Sequence, residues 1–374
     1  MNNYKILVIN PGSTSDEVAY FEGEKQIFHE VVRYDTAQME PYEGKRITEQ
    51  FEFRKDFVMK ELKEHGIDIK NLDAIITRGG LLKPTEGGVF EINETIKDDL
   101  SHERYGSHAS DLGPLIGDSI AQEIGLKAHL ADPTTVDEMV DFARFSGMPE
   151  NPRICIFHCL NQRRVAHLTA KKLNKEYKDV NLIIAHMGGG ISVGAHKQGR
   201  VVDVNNALDG EGPFTPQRSG GVPTGGLAKL CFSGKYSFQD IKLMIKGKGG
   251  MVAYTGTSDM KILEDFAYGK KLSEEDRKKI KTDITQEKAK LLIEAMAYQI
   301  SKEICGLTAI FCGKIDGIVL SGGLAYSEMI TGKIEERTGW IAPVYLLPGG
   351  DEMEALRSSM ERVLSGKEKV KAYD

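Results

Sequence analysis

One pattern occurs twice in this chain, and it restricts the possible fold more than any other feature. Near the start, the apolar run Ile6-Leu7-Val8-Ile9-Asn10 enters Pro11-Gly12-Ser13-Thr14-Ser15 and resumes as Val18-Ala19-Tyr20-Phe21. Past the middle, Leu182-Ile183-Ile184-Ala185-His186 enters Met187-Gly188-Gly189-Gly190 and resumes as Ile191-Ser192-Val193-Gly194-Ala195-His196. Each copy reads as a strand, a turn of small residues and a second strand. The turn Lys197-Gln198-Gly199-Arg200 then leads into a further strand, Val201-Val202-Asp203-Val204. Two such hairpins, one per half of a 374-residue chain, predict a duplicated domain with two glycine-rich turns facing one cleft. The length agrees, since one hydrophobic core rarely grows beyond about 250–300 residues.

Elsewhere, short β-type runs alternate with helical spacing. Strands are predicted at Lys5–Asn10, Leu72–Thr77, Ala128–Ala131, Arg153–Phe157, Asn181–Ala185, Gly317–Leu320 and Pro343–Leu347. Leu112, Ile116, Ile120 and Ile124 form a helical stripe that stops at Gly125, as a helix C-terminus should. Leu292, Met296, Ile300 and Ile304 form another, on a long helix from about Asp283. The alternation predicts an α/β fold with buried, largely parallel strand pairs. The tail Gly366 to Asp374 reads as solvated and frayed.

Charge and composition exclude several classes. A net charge of −6 argues against a general nucleic-acid binder, which needs a basic surface. No apolar run approaches the roughly 20 residues of a membrane span. The first apolar run is too short for a signal peptide and lacks a cleavage site. Five cysteines without a secretion signal predict free thiols in a reducing cytoplasm. Cys155, His158 and Cys159 are metal-ligand types, but no second pair accompanies them, so a structural zinc is not expected.

Glycine-rich turns suit phosphate, because bare backbone N–H groups approach its oxygens closely. A third follows a buried strand at Leu320-Ser321-Gly322-Gly323-Leu324-Ala325. None is a P-loop or a dinucleotide fingerprint, and one such turn alone would be ordinary hairpin chemistry. Gly190-Ile191-Ser192-Val193-Gly194 also fits the nucleophile elbow of acyl hydrolases. An elbow needs a turn and then a helix, whereas Ser192 lies in an alternating stretch that continues as strand. Arg78 precedes Gly79-Gly80, and Arg218 lies among small residues. Each could be a surface arginine beside a turn. Each could also present a planar fork to carboxylate or phosphate oxygens, with the glycines leaving room for a ligand larger than a methyl group. His108, His158, His186 and Asp132 fall at the ends of apolar runs or beside small residues, where α/β proteins gather ligands. Asp351 and Glu352 open the last helix; they fit either helix-dipole stabilisation or a magnesium site.

Together these stretches resemble the acetate and butyrate kinases, within the larger group that includes sugar kinases, actin and the heat-shock chaperone ATPases. The resemblance runs nearly end to end. It is carried by Ile9–Ser15, Arg78-Gly79-Gly80-Leu81-Leu82-Lys83-Pro84, Ile156-Phe157-His158, Ala185–His196 and Asp203–Phe214. The Asn-Pro-Gly turn and Asn205–Phe214 look like butyrate kinase. The resemblance implies an actin-like ATPase fold of two duplicated domains with an interdomain active-site cleft. The carboxylate side would be 1–155 plus 352–374, and the nucleotide side 156–351. It implies roles as well. Asn10, Ser13 and Ser15 match the first phosphate hairpin. Arg78 and Arg218 match the arginines holding the carboxylate and the transferring phosphoryl group, with Gly79 and Gly80 beside the carboxylate. Asp132 matches a catalytic aspartate and His158 a histidine that stabilises the phosphoryl group. His108 and His186 line the same cleft. Gly188, Gly189, Gly190, Ser258, Asp259, Gly322 and Gly323 match nucleotide contacts, and Asn10 with Asp351 or Glu352 the magnesium position.

The implied reaction is ATP plus a short-chain carboxylate, butyrate foremost, giving ADP and an acyl phosphate, with Mg²⁺, in a cytoplasmic homodimer or assembly of dimers. Acetate, propionate or a branched-chain acid is the alternative acceptor. One departure points to a different alternative, a nucleotide-binding member without turnover. After Ser15 the family usually continues Thr-Lys, whereas this chain has Asp16-Glu17. An anion beside phosphate repels it by about 4 kcal/mol at 4 Å and an effective dielectric of 20. Glu17→Lys is therefore expected to raise turnover, with a smaller gain from Asp16→Thr.

Overall fold

The structure, a computed structural model, describes residues 3–13 and 15–374; Thr14 of the first predicted turn lies outside them. Its contacts divide the chain into two compact units, 1–137 with 351–374 and 138–350. Residues 138–155, expected in the first unit, pack with the second. Glu138 accepts the Val201 N–H at 2.7 Å, and the Val140 N–H donates to Val202 at 3.0 Å.

The first unit is built on six strands: β1 (Lys5–Pro11), β2 (Ser15–Glu22), β3 (Lys25–Arg33), β4 (Ala74–Arg78), β5 (Val89–Glu91) and β6 (Ala128–Ala131). Their order is β3-β2-β1-β4-β6-β5. β1–β2–β3 is an antiparallel meander, β1, β4 and β6 run parallel, and β5 closes the edge antiparallel. β1 and β4 are almost wholly buried because helices cover both faces of the sheet. Leu7, Ile9, Val18, Tyr20 and Ile75 pack with Val58 and Leu62 of the helix Phe51–Glu64 and with Leu112, Ile116 and Ile120 of the helix Leu112–Glu123. The helix Glu352–Leu364 packs against β1 and β4. Its first residue reaches Asn10 and Arg78, which lie on the face opposite Ile9 and Ile75.

The second unit has five strands: β7 (Asn181–Met187), β8 (Ile191–Lys197), β9 (Arg200–Val204), β10 (Gly317–Gly322) and β11 (Val344–Pro348). Their order is β11-β10-β7-β8-β9, with β7–β8–β9 antiparallel and β7, β10 and β11 parallel. Strand for strand this repeats β6-β4-β1-β2-β3, so the hairpin similarity in the sequence reflects a duplicated sheet. The helix Gln286–Leu307 places Leu292, Met296, Ile300 and Ile304 in the core. It starts at Gln286, three residues beyond the expected Asp283, after Thr285, whose side chain caps the Lys288 N–H.

Two local expectations fail. Arg153–Phe157 forms no strand. Arg153 instead turns inward to Asp203 at 2.9 Å and Glu211 at 3.3 Å, and Ile156 accepts an isolated bond from the Ala207 N–H. The tail is not frayed. The Lys371 N–H donates to Val89, and Tyr373, 2% exposed, donates its hydroxyl to Asp99 at 2.8 Å.

Candidate active site

In the first unit the β1–β2 turn is held from behind by a residue the motifs do not reveal. Arg54, on the helix Phe51–Glu64, is fully buried. It donates to the carbonyls of Gly12 at 2.8 Å and Ser13 at 3.4 Å, and to Gln50. It also pairs with the Asp16 carboxylate, which accepts the Tyr34 hydroxyl at 2.6 Å. Burial and that carboxylate push the Tyr34 phenol well up, so it stays a donor. Ser13 is exposed on the turn, and the Ser15 carbonyl accepts the Gly12 N–H at 2.6 Å.

This arrangement divides the two unusual acids. Asp16 points into the core, 1% exposed, and its charge is matched by Arg54. The expected gain from Asp16→Thr therefore does not follow. Glu17 stands opposite Asn10 in the β1–β2 ladder and shares its face. Its side chain is 34% exposed and lies 3.3 Å from Nε2 of His29. Glu17 alone thus puts an anion on the side of Asn10. Glu17→Lys is expected to raise kcat about tenfold, the equivalent of about 1.4 kcal/mol of barrier. Steady-state turnover at saturating Mg²⁺ checks this; a slower variant would make the carboxylate part of the working site.

The same face carries the acidic residue left open between two positions. Glu352 accepts from Asn10 Nδ2 and from Arg78, both at 2.9 Å. Asp351 instead caps its helix, accepting the Glu354 N–H at 2.9 Å. Asn10 Oδ1 is buried and accepts no hydrogen bond from the described residues. An acceptor without a donor, beside a carboxylate, fits a cation better than it fits water-free protein.

Asp132 directly follows β6 with φ +41°, is 4% exposed, and accepts the Gly88 N–H at 2.7 Å. A strained backbone on a buried acid is typical of functional sites. His108 is exposed and caps the turn before the helix Leu112–Glu123. Gly79 and Gly80 do not open space through their missing side chains. A Cβ on Gly79 would meet Pro133, and one on Gly80 would meet Asp111 and Leu100. Asp111, raised to about 6 by burial, accepts the Leu81 and His108 N–H groups at 2.7 and 2.8 Å and so ties the Arg78 loop to His108.

In the second unit, His158 precedes the helix Cys159–Lys172, and its ring stacks on that of His186 with centroids 4.1 Å apart. His186 meets Asn161 Oδ1 at 2.7 Å through Nδ1. The Asn161 nitrogen faces the Gly349 carbonyl, so the oxygen must accept, and His186 carries its proton on Nδ1. Burial pushes the His186 imidazole down to about 4, which leaves Nε2 a lone pair at neutral pH. Arg218 lies against the triple-glycine turn: a Cβ on Gly190 would collide with its guanidinium. The loop around it is tied down by Thr215, which donates to the Gly189 carbonyl at 2.6 Å. Gln217 donates to Ser258 at 3.3 Å, bringing that loop to the same place. Asp259 is the N-cap of the helix Met260–Ala267 and accepts the Ile262 N–H. Gly322 has φ +83°, and a Cβ there would strike the Met187 backbone. Gly323 borders a cavity of about 450 Å³ with Leu324, Tyr326, Met260 and Lys261. Ser192 is fully buried in β8, which removes the nucleophile-elbow reading.

Residues 153–331 match the Acetokinase family. Over 370 residues, 99% of each chain, the sequence is 49% identical to butyrate kinase 2 of Clostridium acetobutylicum. The chain belongs to the acetate and butyrate kinase family. Butyrate kinase 1 of the same organism is 45% identical, again over 99% of each chain. Membership makes the protein a phosphotransferase with a carboxyl group as acceptor. The fold agrees. Acetate kinase of Porphyromonas gingivalis superposes with a TM-score of 0.72 at 19% identity, covering 96% of this chain and 100% of that one. A propionate kinase of Francisella tularensis gives 0.66 at 18%, covering 95% and 98%. The fold is thus the actin-like ATPase architecture that the sequence implied. Among the described residues, no helix is long and apolar enough to cross a membrane.

Proposed function

We propose that the chain transfers the γ-phosphoryl group of ATP to butyrate, giving ADP and butyryl phosphate, and runs the reverse reaction as well. A butyrate oxygen attacks the γ-phosphorus, and the bond from phosphorus to the oxygen of ADP breaks. No general base is needed, because the carboxylate is ionised at neutral pH. What remains for the protein is positioning and charge stabilisation. Arg78 and Arg218 offer forks to the carboxylate and the phosphoryl oxygens. His158 donates to the phosphoryl group, Asp132 acts beside it, and Gly79, Gly80 and His108 border the carboxylate. The backbones of Asn10, Ser13 and Ser15 and of Gly188–Gly190 receive the phosphates, with His186 beside them. Ser258 and Asp259 contact the nucleotide, and the cavity bordered by Gly323, next to Gly322 in the chain, takes the adenosine. Asn10 and Glu352 would hold Mg²⁺, which neutralises phosphate charge when bound.

The observation that carries this reading is the buried Asn10 Oδ1, unsatisfied by any described residue, beside Glu352 and Arg78 and next to a backbone turn of phosphate-binding type. The choice of butyrate is supported by the relatives matched over the full chain, both named butyrate kinase. The free thiols of Cys231, Cys305 and Cys312 suit a cytoplasmic setting, and exposed Phe232 and Phe238 suit a homodimer.

The test is a panel of carboxylates from acetate to hexanoate with MgATP, trapping the acyl phosphate with hydroxylamine. A methylene in an apolar pocket is worth about 1–3 kcal/mol, so butyrate should exceed acetate at least about tenfold in kcat/KM. Equal or better use of acetate would move the protein to the acetate or propionate kinases. Tight ATP binding without any trapped product would make it the non-catalytic member that Glu17 suggests.

A further inference from the structure

We propose that Tyr177, His196, Gln162 and Ser192 form a one-way hydrogen-bond relay that holds His158 in its Nε2–H tautomer, so that a neutral imidazole presents a donor to the transferring phosphoryl group. This rests on the reading of His158 as the phosphoryl contact; the relay itself is independent of that reading.

The distances link the five side chains in series. Tyr177 Oη lies 2.7 Å from His196 Nδ1, and His196 Nε2 lies 2.9 Å from Gln162 Oε1. Gln162 Nε2 lies 2.8 Å from Ser192 Oγ, which lies 2.9 Å from His158 Nδ1. A chain of hydroxyls, imidazoles and an amide can in principle run either way. Here a backbone group sets the direction. The Ser192 carbonyl, which can only accept, is 3.0 Å from the same end of the Gln162 amide, so that end is the NH₂ group. Gln162 Oε1 must then accept from His196 Nε2–H, and His196 Nδ1 must accept from the Tyr177 hydroxyl. At the other end, Ser192 Oγ already receives Gln162 Nε2–H and, at 3.4 Å, the His158 backbone N–H. Its own proton goes to His158 Nδ1, and the His158 ring proton is left on Nε2.

Two further facts make the relay rigid in sense. Gln162, Ser192 and His196 are fully buried and Tyr177 is 5% exposed, so no water competes for these bonds. Burial pushes the His196 imidazole down to about 3, aided by nearby Arg163, so it stays neutral at physiological pH. Gly194 supplies the space: a Cβ there would run into Gln162 Oε1 and approach His196 Nε2. The chemical consequence concerns sign. A phosphoryl group in flight carries negative equatorial oxygens. An Nε2–H attracts them, whereas an Nε2 lone pair repels them. The four relay members are positioning residues and need touch no substrate.

The experiment uses the full chain labelled with [¹⁵N]histidine, with His158 assigned by the signal lost in His158→Gln. Long-range ¹H–¹⁵N correlation distinguishes a protonated ring nitrogen from a bare one. Wild type should show His158 with Nε2 protonated. In Gln162→Glu both oxygens of the new side chain accept, so the Ser192 hydroxyl turns to it and His158 should move its proton to Nδ1. Gly194→Ala displaces only the far end of a flexible side chain, and should populate both tautomers even if Gln162→Glu does not fold. In both variants kcat should fall about tenfold to a hundredfold, as for loss of one hydrogen-bond donor, while KM for butyrate and ATP stays within about threefold. A His158 that keeps Nε2–H in the folded variants overturns the relay, and a tautomer change with unaltered kcat overturns its catalytic purpose. A wild type with the expected tautomer and no kinase activity would count against the proposed function and leave the relay standing.

Discussion

Arg78→Ala and Arg218→Ala should each lower kcat at least about a hundredfold, the loss expected when a charged contact made in the transition state is removed. The two positions reach this result differently. Arg78 is 27% exposed and pairs with Glu352, itself 34% exposed. A pair so accessible contributes at most about 1 kcal/mol to folding. Its removal should barely change thermal stability, so a large loss of rate would be chemical. Arg78→Ala also takes a cation from Glu352, and the concentration of Mg²⁺ needed for half-maximal rate should shift with it. Arg218 is more enclosed: burial lowers its pKa, it donates to the Ala207 carbonyl, and it covers Gly190. Arg218→Ala should therefore cost some stability as well as rate, and melting curves must accompany the kinetics. Arg→Lys should rescue poorly at both places. At Arg78 a point charge replaces a fork that can hold Glu352 and a substrate oxygen together. At Arg218 a tetrahedral ammonium cannot lie flat on the glycine turn. Hydroxamate formation under saturating butyrate and MgATP measures all four variants. A loss of tenfold or less at both alanine variants would sink the assigned role.

The parts of this protein that are legible in its sequence are those written in local spacing. Both hairpins and the parallel strands after them show as short apolar runs because both faces of their sheets are covered, and the two long helical stripes follow from a period of three to four because each helix buries one face. β3 and β5 escaped for the converse reason. β3 is an outer strand whose residues alternate between exposed and half-buried along most of its length, and β5 has only three residues. Arg153–Phe157 misled because Ile154, Cys155 and Ile156 look like strand, while Arg153 is recruited by two acids that sit far along the chain. The same division holds for the site. Arginines, histidines and glycines at strand ends announce themselves by type and neighbours. Their supports do not. Arg54 meets Asp16 across 38 residues, and Gln162 meets Ser192 across 30. Glu352 is separated from Asp351 only by which side of a helix N-terminus each one takes, and no local pattern carries that information.

Asp16→Thr shows what such a hidden support does. The change restores the residue usual in the family and deletes an acid from the first hairpin, so from sequence it promises a gain. The structure predicts a loss of about 3–5 kcal/mol in the stability of the first unit, because it strands a buried guanidinium. Arg54 is fully buried and Asp16 1% exposed, with no water to take over from the carboxylate. Tyr34, which donates to Asp16 at 2.6 Å, would lose its acceptor too. The loss should reach function, because Arg54 also holds the carbonyls of Gly12 and Ser13 and thereby the shape of the turn. The KM for ATP should rise in a variant that is still folded. Arg54→Met alone should destabilise comparably by leaving the carboxylate unpaired, while Arg54→Met with Asp16→Leu should recover much of the stability, since apolar replacement of a whole buried pair is often neutral. It should not recover the KM, because the two carbonyls remain unheld. Urea unfolding of the singles and the double, with ATP kinetics on each, separates these effects through their coupling energy. Asp16→Thr within about 1 kcal/mol of wild type would mean that Arg54 finds other partners, and the hairpin would then owe its shape to the strands alone.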